Sequence, residues 1–487
     1  MENSGLIIAG LDRDKGNQGK ILSNGQLQLN VGALDLSQGV TSAEQITLKA
    51  NQFNHQQGQL YTAWKTQSSE FGNSARAEQS DGCYSELHWI NVDAVQGQIV
   101  CQMMAVTIQS QGLNNDQGKS SVSSAVTVDA RHRSAEATRQ VHYNQRKTSN
   151  SKQIVSTSQV YQCPSSIQHS QGLNNTSGQI GSVESTLNID AGQGTITNQQ
   201  GKLQSKQDLS VKAQGIDNQS GLIATQENLV LDQQWLNNNK GQLISGQNLR
   251  LTGQDFNNQG GLLQSGRDLS FKLIGQVDNS NKGQINSQAD LVISTAKDIN
   301  NQNGVIASNQ QLSLKSQGLN NNAGQIGSIH SGVTIESGSS AVDNTSGVIQ
   351  AKNDIQLKAQ QLTSHFGKIS SEKAIELNIK QGIDNSAGQI VANDAVMIQS
   401  QGLNNDQGQI ASIKAQLTVD AGTGVLSNQT GALQSAKDIQ LKADRLDSQS
   451  GLINAQGSIQ AQVQQGIDNT AGQIIANQSV QLNSQAK

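Results

Sequence analysis

The chain has one proline, three cysteines, five Phe, three Trp and four Tyr in 487 residues. Each shortage excludes something. So little proline excludes Pro-rich spacers and leaves almost every backbone N–H free to join a sheet. Three cysteines (Cys83, Cys101, Cys163) cannot form a disulfide framework for a chain of this length, and no C-x-x-C or H-x-x-x-H spacing suggests metal. With 34 % hydrophobic and 2 % aromatic residues, a conventional compact core is not expected. Charged residues are 14 % of the chain and the net charge is −4, too little charge to hold a chain disordered. There is no long basic run, so the sequence predicts no binding to nucleic acid or anionic membranes. No apolar stretch is long enough to span a bilayer. The opening residues MENSGLIIAG lack the basic region and cleavage site of a secretory signal. Phosphate-binding loops and nucleophile elbows are missing too, and no cofactor is expected.

What is abundant is Gly (48 residues) and Gln, about 15 % of the chain. The glycines keep time. A G-x-[Leu/Ile/Val] step recurs from Gly201 through Gly221, Gly241, Gly261 and Gly283 to Gly472. Its period is roughly 21 residues, within the range of solenoid repeats. Weaker copies stand at Gly19, Gly39, Gly58, Gly97, Gly118 and Gly178. Within a unit apolar residues alternate with polar ones, as a strand with one buried face requires. Leu243, Ser245, Leu249, Leu251 and Phe256 are matched by Leu263, Ser265, Leu269, Phe271 and Val277, and then by Ile285, Ser287, Leu291, Ile293 and Ile299. No helical stripe appears.

One unit cannot bury its own apolar face, but stacked units can, since equal offsets place Leu on Leu and Ile on Ile. The expected fold is all-β, a right-handed parallel β-helix. About 23 coils at roughly 4.8 Å each would make a rod near 110 Å long. Asn-Asn or Asp-Asn precedes most glycine steps, as at Asn257–Asn258, Asp278–Asn279 and Asn300–Asn301. Three reasons suggest themselves: Asn tolerates the left-handed region, its side chain bonds its own backbone, and stacked Asn amides can bond one another along the axis. A longer period of four coils relates SQGLNN at Ser316 to its second copy at Ser400.

The run from Gly221 to Phe271, GLIATQENLVLDQQWLNNNKGQLISGQNLRLTGQDFNNQGGLLQSGRDLSF, resembles the repeats of filamentous haemagglutinin-type proteins. The likeness covers about 1–60 and 170–487 well and 97–130 fairly. These are long bacterial exoproteins of two-partner secretion, including adhesins and contact-dependent growth-inhibition effectors. The resemblance implies an extended stalk at the cell surface, secreted through an outer-membrane partner. The secretion domain and a terminal toxin domain are not seen in this sequence, so the chain reads as a piece of a longer stalk.

Three regions are expected: repeats over 1–60, a divergent region over 61–169, and regular repeats over 170–487. The divergent region is foreign at 61–96 and 131–169 and repeat-like at 97–130. All four Tyr, two of the three Trp and Pro164 lie in the foreign stretches. They read either as inserted or irregular elements, or as frameshifted coils. The second idea draws on GQIVCQMMAVTIQSQGLNN at Gly97, which matches GQIVANDAVMIQSQGLNN at Gly388 except around Cys101–Met104.

Trp64, Trp89, Tyr143 and Trp235 are the candidate binding residues, because aromatics are favoured at interfaces. Trp235 should face outward. Asp208, Asp268, Asp298, Asp354 and Asp438 share one offset before the second strand, which suggests a turn preference more than a catalytic pair. His55, His330 and His365 read as surface turn residues. The leading expectation is a non-enzymatic stalk. The alternatives are an adhesin that binds a host or neighbouring-cell receptor or glycan through 61–169, and a β-helical polysaccharide-degrading enzyme.

Overall fold

The computed structural model describes residues 172–182 and 186–484 throughout, together with the backbone of strands between Leu6 and Gln168. It is the all-β parallel β-helix expected from the period, and the described residues contain no helix. Two compact units divide it: Met1–Asn237 with Gly241–Ser245, and Asn238–Lys240 with Gly246–Lys487.

In the first unit, strands Leu6–Ile8, Val40–Ala43, Gln59–Thr62, Gln98–Cys101 and Lys119–Val122 pair in parallel, in that order. A second row joins Gln26–Asp35 to Gln45–Asn54, then Ser85–Asp93, Val106–Ser110 and Val126–Ala130. Ser165–Gln168 pairs with both Val126–Ala130 and Leu187–Asp190. Strands thus occur in parts of 61–96 and 131–169, at Ser85–Asp93 and Ser165–Gln168. The residues from 131 to 164 lie outside the described ones.

In the second unit most coils are a short strand, a bend, a second strand and a short third step, the last two running on as one strand at Leu249–Asn257, Ile439–Asp447 and Ile459–Asp468. The coil from Gly283 shows the plan, with strands Gln284–Ser287, Leu291–Thr295 and Ile299–Asn300. Ile285, Ser287, Leu291, Ile293, Thr295 and Ile299 point inward and are buried, while Gln284 and Val292 between them face out. The alternation along the sequence is therefore the inside and outside of the coil.

The coils stack in register. Leu263 lies on Ile285, then Ile306, Ile326, Ile349, Ile369 and Ile390. Phe271 lies on Ile293, Leu314, Ile335 and Leu357. Burial of one such side chain contributes about 1.5–3 kcal/mol. It is realised only when the next coil covers it, so stability passes between neighbours. The largest core residues, Phe256 and Phe271, meet edge to face with ring centroids 5.3 Å apart. Coils differ slightly in length because the bends absorb the extra residues and the strands keep register.

Candidate functional surface

The most regular feature is the corner that closes each coil. Residues Asn301–Gly304 form a tight turn in which the Gly304 N–H donates to the Asn301 carbonyl, 2.9 Å away. Asn301 is fully buried. Its Nδ2 donates to Asn321 Oδ1 of the next coil at 2.8 Å, and to the carbonyls of Gly304 and Gln325. Asn258, Asn279 and Asn321 repeat the pattern, donating at 2.7–2.8 Å to Asn279, Asn301 and Asn344. The first unit has it at Asn175 and Asn198. Of the reasons the sequence offered for the Asn pair, axial bonding is realised by the second member.

The left-handed reading is corrected by the backbone. Neither member of the pair is left-handed. The left-handed residue comes two positions after the buried Asn, at Asn303 (φ 56°), Ala323 (52°) and Ser346 (54°). The first member of the pair has its own task. Asn300 Oδ1 accepts the Gln302 N–H, and Asp278 Oδ1 and Asp343 Oδ1 accept those of Ser280 and Thr345. These are Asx turns, which both Asp and Asn can make. In most coils the second member is a donor as well as an acceptor, which favours Asn.

The timing glycine is explained by space. A Cβ on Gly304 would lie 2.1 Å from the Asn279 carbonyl oxygen and 2.6 Å from Asn301 Oδ1. Its φ is ordinary. The stacked amides occupy the volume a side chain would need.

The acids before the second strand also have a structural task. Asp208 Oδ1 accepts the Asn228 N–H of the next coil, Asp354 Oδ1 that of Ala374, and Asp438 Oδ1 that of Ser458. Asp268 Oδ1 does the same for Asp290. Asp298 does not share this offset: it precedes the third step, Ile299–Asn300, and its carbonyl accepts the Val277 N–H. Among the described residues, no group of three His, Cys, Asp or Glu is placed to hold a metal.

Of the four candidate binding aromatics, only Trp235 has a described side chain. It faces outward and is 38 % exposed, with its ring over the Gly215 backbone, where a Cβ would lie 2.0 Å from ring carbon Cε2. The Trp89 backbone pairs with Ala50 in a strand, and its side chain is outside the described residues. Trp64 and Tyr143 lie outside them altogether.

Phe366 was missed in the sequence. It is 63 % exposed and takes the left-handed turn position at φ 52°, which other coils give to small or polar residues. His365 packs on it with ring centroids 4.1 Å apart, and His365 Nδ1 is 2.7 Å from Ser386 Oγ. The available signal was an aromatic in a turn slot otherwise free of them.

The sequence matches the haemagglutinin repeat family over residues 13–69, 105–135 and, in overlapping stretches, 171–487. A stack of parallel coils with these turn residues is a haemagglutinin-type solenoid, and the chain belongs to the haemagglutinin repeat family. Comparison with curated proteins and with solved structures gave no match.

Proposed function

We propose that this chain is a non-enzymatic stalk segment of a secreted, cell-surface bacterial exoprotein that carries an adhesive or toxic terminus away from the cell. An outer-membrane secretion partner would export the parent protein. The observation that supports this reading most is the use made of the recurring positions within the repeat. Gly304, Asn301, Asp354 and the inward Leu and Ile residues are all consumed in holding coil to coil. A chain that spends its recurring polar residues on its own axis is suited to bearing load and spanning distance.

Small-angle X-ray scattering on the full chain tests the stalk. The coil count anticipates an elongated particle near 110 Å, at about 4.8 Å per coil. A compact particle would sink the reading. The enzymatic alternative predicts cleavage of acidic polysaccharides, measured as released reducing ends. The adhesin alternative through 61–169 predicts that deleting this region abolishes attachment to cells.

A further inference from the structure

The outer face of the first-strand sheet carries a recess of about 930 Å³ over residues 328–456, whose walls rise at the bends. In the second unit, most bends between first and second strands have three residues, as between Ala351 and Ile355 or Ala392 and Val396. Two have four: Ile329–Gly332, between Ser328 and Val333, and Ile413–Gln416, between Ser412 and Leu417. Each longer bend pushes an isoleucine outward, leaving Ile329 57 % and Ile413 53 % exposed. They stand one four-coil period apart, which sets them roughly 19 Å from each other at a rise of about 4.8 Å per coil. Both residues line the recess.

The floor between them is small. Ser370, Val391 and Ala411 stand in one row, each opposite the next in register. The same row is closed at its ends by Gln350 and Gln434, again one four-coil period apart. Lys368, Gln389 and Gln409 stand in register along one wall, which thus carries one ammonium beside its amides, and Gln409 Nε2 donates to Gln434 Oε1 at 3.0 Å. Asn393 stands on the other side. On that rim the Lys352 ammonium is paired with the Glu372 carboxylate.

We infer that this recess binds a linear, neutral oligosaccharide laid along the coil axis. Primary amides offer both a donor and an acceptor, which suits vicinal hydroxyl groups. The Val391 side chain and the two isoleucines offer apolar surface to the C–H faces of the sugar rings. The coil repeat of about 4.8 Å is close to the advance of one pyranose along an extended chain, so successive rings meet successive coils. An extended peptide is less suited: the strands of the floor are already paired on both sides, so no backbone groups are free to receive it. The stalk reading does not depend on this site.

The test is titration of the full chain with cellohexaose, maltohexaose, mannohexaose and chitohexaose, followed by ligand-observed NMR and calorimetry. At least one is expected to bind. Ser370→Trp, which fills the floor from the outward face, should abolish that binding. Gln389→Ala with Gln409→Ala should weaken it by about tenfold or more, the loss of one to two hydrogen bonds. Gln284→Ala, on the same sheet face outside the recess, should leave it unchanged. Circular dichroism and melting of each variant confirm the fold. Failure of all four sugars to bind overturns the proposal, as does binding that survives both recess variants in folded protein. Capture by the recess of an extended peptide, lost in Ser370→Trp, would replace the sugar with a peptide.

Discussion

From Asn258 to Asn344 the buried amides hand a hydrogen bond from coil to coil without interruption. At Ser364 the relay stops. Asn344 Nδ2 still finds an acceptor in Ser364 Oγ, at a longer 3.2 Å, but Ser364 is too short to reach the next coil. Asn385 Oδ1 is consequently buried without a hydrogen-bond partner. The same happens one four-coil block later, where Asn428 donates to Ser448 Oγ at 3.2 Å and Asn469 Oδ1 is unpartnered. The contrast shows that the relay has a direction. A serine can receive from the coil before it and cannot give to the coil after it, so the cost falls on the next coil. An unpaired buried acceptor costs about 1–3 kcal/mol. These two junctions are therefore weak points, spaced by one four-coil block.

The largest effect should come from breaking an intact run. Gly304→Ala pushes a methyl group into the Asn279 carbonyl and should destabilise the adjacent coils by about 3 kcal/mol or more, read as lost amide-exchange protection on both sides. An unchanged exchange pattern would mean that the close approach is not needed. Next is Asn301→Ala, which orphans Asn321 Oδ1 and takes from Asn279 Nδ2 one of its three acceptors, leaving the Gly283 and Val305 carbonyls. It should cost about 2–3 kcal/mol, more than the natural serine junctions, because alanine cannot accept. Repairing a weak point is the converse experiment. Ser364→Asn supplies the missing Nδ2 to Asn385 Oδ1 and should stabilise by about 1 kcal/mol in chemical denaturation. The idea of a directional relay fails if the variant is no more stable.

A smaller effect lies at the corner beside Ser364. Phe366→Asn puts a residue tolerant of the left-handed region where a bulky one now stands, and a gain of about 0.5–1 kcal/mol is expected. If stability falls instead, the His365–Phe366 stack outweighs the strain. The smallest effect concerns acid. The Thr470 backbone N–H, helped by its hydroxyl, donates to Asp468 and holds its carboxyl below the ordinary value of 3.8. A depressed pKa in the folded chain means that the stabilising contribution is present above the ordinary value. It is lost as pH falls through the lower folded value. NMR titration of Asp468 should show that depressed midpoint, and Thr470→Ala, which removes the hydroxyl, should shift it partway back.

Much of this was legible because the coil repeats. A period fixed by Gly283, Gly304 and Gly324 gives the stacking, and the alternation around Leu291 and Ile293 gives the inner face. Equal offsets leave few ways to pair such units, so register needed no further information. The task of each polar residue was less legible. Asp354 reads as a turn former, but the N–H it accepts belongs to Ala374, which comes into contact only once coils stack. Asp298 looks like its equivalent by dipeptide and lies before a different strand. Trp235 reads as outward and is outward, although strict alternation from Leu229, Leu231 and Gln233 would turn it inward: the pattern breaks there, with Gln234 and Trp235 both outward and Leu236 inward. The Ile329–Ile413 recess could not be read from a row of separate coils, because it exists only between bends of unequal length.

By itself, then, the sequence determined the period, the two faces and the vertical alignment of the core. All three follow from side-chain alternation and repetition along the chain. Tertiary structure decided what the recurring turn residues are for. The Gly304 hydrogen is needed because the Asn279 carbonyl and the Asn301 amide fill the space beside it, and only stacking brings Asn279 there. The direction of the amide relay, and the unpaired oxygens beyond Ser364 and Ser448, were settled at the same step. A hydrogen bond along the axis joins residues a full coil apart in the chain, which become neighbours only when one coil lies on the next.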